Sequence, residues 1–432
     1  MQQILDLHIH SRYSRACSPQ LTLVNIEKAC RIKGINIIAT GDFTFPAWFE
    51  AIKSELSETQ PDSGLYRLKN SSDDQIKFIL STEVALIYKD GDKVRRIHLV
   101  IHAPNISAVE KLNKQLDKKY NIRSDGRPIL GMTAPTLVKL LLKIDPHFLI
   151  YPAHIWTPWF AVFGSKSGFD TLEECFKEET ENIYAFESGL SSDPEMNWRL
   201  SALDKLTLLS NSDAHGLNNL GREANVMEIS EPPTYQKIYN IIKDHKRIFL
   251  EDKSVNPSLL DGLKYTLEFY PEEGMYHFDG HRTCGFSCSP EESQRLKNIC
   301  PVCKKPLVIG VLNRVAELAD RPLGFKPSSA VPFKKLIELD KIIAEALNIQ
   351  SRSSINVQKN YQAMIKEYGS ELYILLEHDL ASFNSGTDRR VIEGIRRSRE
   401  GNLVIKPGFD GQYGTVNIFS QEDNPNNQTG LF

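Results

Sequence analysis

Tryptophan, methionine and cysteine are scarce in this chain, at 4, 6 and 7 among 432 residues. So few thiols over such a length exclude a disulfide-built scaffold. Glycine and proline, at 25 and 22, are too few for a collagenous or low-complexity polymer. An excess of one charge is also missing: 52 Lys and Arg stand against 55 Asp and Glu, a formal net of −3. The overall field therefore does not draw the chain to nucleic acid, and any phosphate contact depends on a local basic patch. The longest uncharged stretch, 146–165, includes His147, His154 and three prolines. It reads as a buried strand and loop, because a spanning helix needs about 20 predominantly apolar residues. The first apolar run contains Asp6, His8 and His10, which does not suit the core of a signal peptide. A cytoplasmic protein with no membrane partner is expected.

What is present is ordinary globular material, 41% hydrophobic and 25% charged, enough for roughly three domains at ~150 residues each. Short β-rich runs at 4–9, 35–40, 76–80, 97–101, 148–151, 183–186 and 206–209 alternate with helical or loop-forming segments. Such alternation predicts an α/β domain over 1–265 with a largely parallel sheet. Near the end of each run stands a residue able to bind metal: His10, Asp42, Glu83, His98 or His102, His154, Glu187, then Asp213 with His215. In α/β barrels, chemistry sits at that end of the strands. Residues two apart on a strand face the same way, so His8 and His10 offer two imidazoles to one ion. Asp213 and His215 repeat that spacing, which raises the pattern above polar lining.

Residues 266–325 carry Cys284, Cys288, Cys300 and Cys303 amid Gly, Pro and His. Two thiol pairs separated by eleven residues predict a closed tetrahedral zinc site with a folding role. His277 and His281 are spare ligand candidates and read more readily as surface groups. Over 326–420 helical patterns dominate, notably 333–347, where Leu336, Leu339, Ile343 and Leu347 recur at spacings of three and four. Arg389, Arg390, Arg396, Arg397, Arg399 and Lys406 form a basic stretch. On a helix, Arg389, Arg390, Arg396 and Arg397 fall near one another and either neutralise phosphates or make a solvated face. In the glycine-rich KPGFDGQYG that follows, Phe409 and Tyr413 either stack on a base or fill a gap. The polar segment 421–432 is a flexible tail.

Six pieces in order, DLHIHSRYS, ATGD, STE, HLVIHAPN, YPAH and NSDAH, resemble the polymerase and histidinol phosphatase (PHP) family of metal-dependent phosphoesterases. The resemblance implies a distorted (β/α)7 barrel followed by the small zinc module and a mainly helical C-terminal domain. Its metal ligands fall on His8, His10, Glu83, His98, His154, Asp213 and His215, with His102 as a core or supporting histidine. The chain departs from the family at Arg15, Ala16 and Phe43. Asp42 is therefore expected to replace a missing histidine, as ligand and catalytic group beside Asp213 and His215.

The segments ESGLSSDPEMNWR, NSDAHGLNNLGREANV and KPGFDGQYG, with the four cysteines, look more closely like the endonuclease Q family of DNA repair nucleases within that group. This resemblance implies hydrolysis of the phosphodiester 5′ to deoxyuridine, deoxyinosine, deoxyxanthosine or an abasic site by metal-activated water, leaving a 3′-hydroxyl and a 5′-phosphate. It implies zinc in the cysteine site and the barrel, with magnesium or manganese for activity, and damaged DNA as partner, its base flipped into a pocket. Asp193, Asn197, Arg199 and Arg222 either line that pocket or serve structure. Gln428, Leu431 and Phe432 resemble the peptide that docks on the bacterial sliding clamp. A phosphoesterase for small monoesters and an inactive DNA- or clamp-binding scaffold are the alternatives.

Overall fold

The first apolar run folds as the strand Gln2–Asp6, with Leu5 and Asp6 beside Ile37 and Ile38 of the parallel strand Ile37–Ala39. The computed structural model describes residues 1–248, 261–420 and 423. Lys77–Ile79 continues the parallel set. Gly41 and Phe43 donate backbone N–H bonds to Ser81 and carry the ring on to Ser81–Asp90. That strand pairs along its length with antiparallel Lys93–His102, which pairs in turn with antiparallel Leu149–Pro152. Ile155 N–H donates to Glu187 O, beside the parallel pair Ala185–Glu187 and Thr207–Leu209. A parallel bridge between Ile9 and Ala214 returns the ring to its first strand.

The expected α/β barrel is therefore present and distorted, but its strands are mixed instead of largely parallel. Only Gly91 and Asp92 join Ser81–Asp90 to Lys93–His102, too few for the crossover that parallel pairing demands. Gly91 at φ 60° makes the tight turn. On its other edge Gln2–Asp6 pairs antiparallel with Ala224–Glu228, within a sheet of eight strands. Leu5, Leu7, Ile9, Ile37, Phe78, Leu99 and Tyr151 are fully enclosed in this part of the core. Amphipathic helices cover it, among them Ile106–Leu116 and Ala134–Ile144, capped by Asn105 and Thr133.

The chain divides into two compact units: Met1–Arg31, Ile35–Leu267 and Val311–Phe333 in one; Ile32–Gly34, Glu268–Gly310 and Lys334–Phe432 in the other. A boundary near 266 was expected, but 311–333 returns to the first unit. Helix Val311–Leu318 buries Val311 and Val315, and Arg314 donates to the carbonyls of Phe163 and Phe169. The cysteine module and the helical region share the second unit instead of forming two. The 333–347 pattern begins with the strand Phe333–Lys335, and its helix, in the second unit, is Leu339–Ala346. Leu336 N–H is spent on Glu268 O, which holds the chain extended up to that point. Ile355–Tyr368, Glu371–Leu376 and Arg389–Glu400 complete the main helices. A Cβ at Gly394 would lie 2.7 Å from Ile342, so a larger residue would push two helices apart. No helix among the described residues is long and apolar enough to cross a membrane.

Candidate metal centre

Two ligand triads converge inside the first unit. His8, His10 and Asp213 form one, and Glu83, His98 and His154 the other, each with its ligand atoms within 4.8 Å of one another. Glu83 joins them. Its Oε2 lies 3.3 Å from His10 Nε2 and 3.8 Å from His8 Nε2, while its Oε1 lies 2.8 Å from His98 Nδ1 and 3.3 Å from His154 Nε2. Asp213 Oδ1 is 3.1 Å from His10 Nε2. A carboxylate shared by two groups of imidazoles is a bridging arrangement for two ions.

Buried carboxylates aim these imidazoles. His8 Nδ1 donates to Glu187 Oε2 at 2.9 Å, and His10 Nδ1 donates to Asp42 Oδ1 at 3.1 Å. Each bond fixes the tautomer and turns Nε2 inward. Glu187 also accepts from His154 N–H and Asn211 Nδ2, and Thr157 Oγ1 holds His154 Nδ1 at 2.9 Å. His154, Asp213 and Asp42 all have positive φ, at 28°, 46° and 49°. Such outliers gather where a site over-determines its backbone. Gly189 packs so closely on His154 that a Cβ there would lie 2.4 Å from the histidine's own Cβ.

The donor set fits divalent metal. His8 Nε2, His10 Nε2, Glu83 Oε1 and Asp213 Oδ1 are buried and make no hydrogen bond. Polar atoms so placed are expensive to bury without a partner, and a cation at their meeting point would satisfy them together. Burial pushes the Glu83 carboxyl up, but the electrostatic pull of His98 and Arg127 and the nearby imidazoles of His10 and His154 outweigh it and hold the group well below the usual range. Burial drives His98 down to about 4, leaving a neutral imidazole, whereas the surrounding carboxylates raise His8, His10 and His154, so an ion bound there would displace protons.

Other residues take different places from those expected. Asp42 lies in neither triad: its Oδ2 accepts from Ser11 N–H, Ser11 Oγ and Ser14 Oγ. In this arrangement its Oδ1 orients His10 and its Oδ2 is held by the two serines, a supporting place and not the ligand and catalytic place expected of it. His215 also lies outside both triads, its ring 4.6 Å from His10 and its Nδ1 bonded to Asp213 O. His102 is a core histidine on Tyr151 OH at 3.0 Å, pushed down to about 3 by burial. Asp193 caps a short helix, Asn197 accepts from Trp156 Nε1, Arg199 reaches Arg321 O, and Arg222 props Ser212 O. All four hold local structure. Glu187 was noted only as a strand-end acid, yet it orients one ligand and anchors the backbone of another. Arg127, whose Nη1 donates to Glu83 Oε2 at 2.9 Å, carried no sequence signal beyond its polar loop.

In the second unit the gathered group is His281, Cys284, Cys300 and Cys303. Cys303 Sγ lies 3.6 Å from His281 Nδ1. Cys288, the expected fourth ligand, is buried against Cys300 and Leu307 in the module's small core. His281 and Phe286 pair across the hairpin that carries Cys288 at its far end, opposite Asp279. The Cys300 thiol is pushed up by burial, but backbone N–H groups of Cys303 and Val302 override this and hold it below its usual range. That favours the thiolate at Cys300, whereas burial and the neighbouring thiols of Cys303 and Cys300 push Cys284 up to about 11.

The basic stretch forms the helix Arg389–Glu400, yet its charge is largely spent internally. Arg396 pairs with Glu393 and Glu400, Arg397 with Glu393 and Asp423, and Arg390 bonds Asp423 O above the Phe419 ring. Arg399 donates to three backbone carbonyls. Arg389, Lys406 and Tyr413 stay exposed, whereas Phe409 packs on Gly280. Gln428, Leu431 and Phe432 lie outside the described residues.

Residues 338–402 match the family described as the MJ0043 C-terminal domain. The uncharacterized protein MJ0043 of Methanocaldococcus jannaschii is 30% identical over 273 residues, 62% of this chain and 32% of that protein. The chain thus spans about a third of that relative's length. The uncharacterized protein YqxK of Bacillus subtilis is 25% identical, covering 95% of this chain and 98% of its own. Among solved structures, the lesion-specific endonuclease PfuEndoQ from Pyrococcus furiosus superposes at TM-score 0.82 with 28% identity over 98% of both chains. An endonuclease Q bound to a 27-mer duplex substrate with an abasic lesion at the active site gives 0.81 and 29%, again over 98% of each. Both of these matched structures are endonucleases, a class of hydrolytic enzyme. Within that class the likeness is to endonuclease Q, and it runs through both units.

Proposed function

We propose that the chain is a DNA repair endonuclease that hydrolyses the phosphodiester 5′ to a deaminated base or abasic site, leaving a 3′-hydroxyl and a 5′-phosphate. One observation carries the reading: two metal-ligand triads share Glu83 in a chain like endonuclease Q from end to end. His8, His10 and Asp213 would hold one ion, and Glu83, His98 and His154 the second. Divalent ions there would supply Lewis acidity, lowering the pKa of a bound water and neutralising charge on the phosphoryl group. Glu187 and Asp42 keep the two ligand imidazoles aimed, so the site is pre-organised before substrate arrives. His215, partly exposed at the rim beside Asp213, is placed to meet the substrate or its leaving group.

Damaged nucleotides pair poorly, so extruding one costs less than flipping a normal base, and that difference contributes selectivity. Arg389, Lys406 and Tyr413 are free to meet DNA. Zinc suits the His281, Cys284, Cys300 and Cys303 group as a structural ion, with magnesium or manganese for turnover in the barrel. Docking of Gln428, Leu431 and Phe432 on a sliding clamp is part of the same reading. A small-monoester phosphoesterase would have no use for the second unit, and the likeness to endonuclease Q includes it.

The test is an end-labelled duplex carrying one deoxyuridine, deoxyinosine or abasic site, incubated with magnesium or manganese. An undamaged duplex and an Asp213→Ala protein run beside it. A single cut 5′ to the lesion, absent from both controls, is the expected outcome. Cleavage of small phosphate esters with no DNA cut under either metal would sink the proposal.

A further inference from the structure

We propose that Arg127 is a phosphate-binding catalytic residue, a fixed cation that takes a non-bridging oxygen of the scissile phosphate beside the two metal positions. The inference rests on the nuclease reading above and adds a residue that no motif indicated.

The loop carrying Arg127 is fastened beside the residues that orient His10. Gly126 N–H donates to Tyr13 O at 3.0 Å, and Gly126 O accepts from Thr44 Oγ1. A Cβ at Gly126 would stand 2.4 Å from both Asp42 Oδ2 and Ser14 Oγ, so backbone alone fits against the carboxylate that aims His10. Asp125 Oδ1 accepts from Arg127 N–H at 3.0 Å. Arg127 is thus held in register with the first ligand triad. Its Nη1 meets Glu83 Oε2, the oxygen that faces His10 and His8.

Glu83 is the one carboxylate within ion-pair distance of Arg127 among the described residues. The side chain is 24% exposed, and a guanidinium has five N–H donors, of which this pair uses one. With an ion in each triad, Arg127 adds a further positive charge beside Glu83, and the negative charge of a phosphodiester is attracted to it. Arginine's planar fork matches the oxygens of a phosphate, and a fixed donor gains strength as negative charge grows on them.

The probe is inorganic phosphate, titrated into the full-length manganese-loaded protein and followed by the electron paramagnetic resonance of the metal. Wild type, Arg127→Gln and Arg127→Lys are compared, with manganese stoichiometry and melting temperature measured on each. Arg127→Gln is expected to keep both ions and the wild-type melting temperature while weakening phosphate at least about tenfold. Arg127→Lys should recover part of that loss, having the charge without the fork. Unchanged phosphate affinity at full manganese content would overturn the proposal. Loss of manganese from Arg127→Gln would also overturn it, by making Arg127 only a holder of Glu83. If Arg127→Gln fails to fold, Arg127→Lys decides: phosphate bound as tightly as by wild type refutes the contact. The lesion-duplex assay on the same wild-type preparation separates the two claims, since absence of cutting removes the nuclease reading and leaves the phosphate site standing or falling on its own data.

Discussion

The barrel's ligands are drawn from residues 8–213, whereas those of the second unit come from 281–303. This difference governs how each site is built. In the barrel, His8 and His10 have their own buried carboxylates, Glu187 and Asp42, and those are held in turn by Asn211, Ser11 and Ser14. In the cysteine module the ligands are half-buried or sit in a core of a few residues, and local knuckle geometry does the aiming. A centre assembled over long range needs a supporting shell. One assembled locally needs the ion itself for its fold.

The sharpest way to break the comparison is Glu83→Gln, which weakens the bridge between the triads. Cleavage should fall by roughly a thousandfold, the equivalent of several kcal/mol of barrier, while circular dichroism and zinc in the second unit stay as in wild type. Next, metal analysis of His281→Ala and Cys288→Ala tests which residue completes the cysteine site. The first should lose its zinc and unfold the module on mild heating; the second should keep zinc and lose only about 1–2 kcal/mol of packing. The reverse result would restore the four-cysteine set.

The supporting shell is expected to matter less than the ligands. Glu187→Gln and Asp42→Asn should each lower manganese affinity or cleavage by about 10–100-fold, read by metal titration and single-turnover rate. A loss as large as that of Glu83→Gln would make Asp42 a ligand after all. The smallest effect is expected at Glu393, held down to about 2 by Arg396 and Arg397. A carboxyl lowered in the folded state adds stability above its unfolded pKa and loses it as pH falls. Glu393→Gln should therefore cost less than about 1 kcal/mol at neutral pH, because the pair is solvent-screened. That difference should shrink between pH ~5 and 2 in denaturant titrations.

Much of this was legible in the chain itself. His8 with His10, and Asp213 beyond them, could be read because strand ends in an α/β barrel converge and two-residue spacing puts side chains on one face. His98 was separable from His102 only through family likeness; in the structure His98 stands in a candidate ligand triad and His102 is spent on Tyr151. Arg396 and Arg397 read equally as a phosphate-binding face or a solvated one. Asp423 and Glu393 took them up, a choice that depends on where the chain returns after the helix.

Local chemistry is what the amino-acid order determined: alternating strands and helices, imidazoles and carboxylates at strand ends, and paired thiols at the spacing of metal knuckles. Partner choice was decided by tertiary structure. Asp42 and Glu187 became orienters, His281 entered the cysteine site while Cys288 turned into its core, and Arg127 arrived beside Glu83. The physical reason is that a side chain's type and local spacing fix what it is able to bind. Which atom lies 3 Å away in a buried site depends on segments far apart in sequence, brought together when the barrel closes.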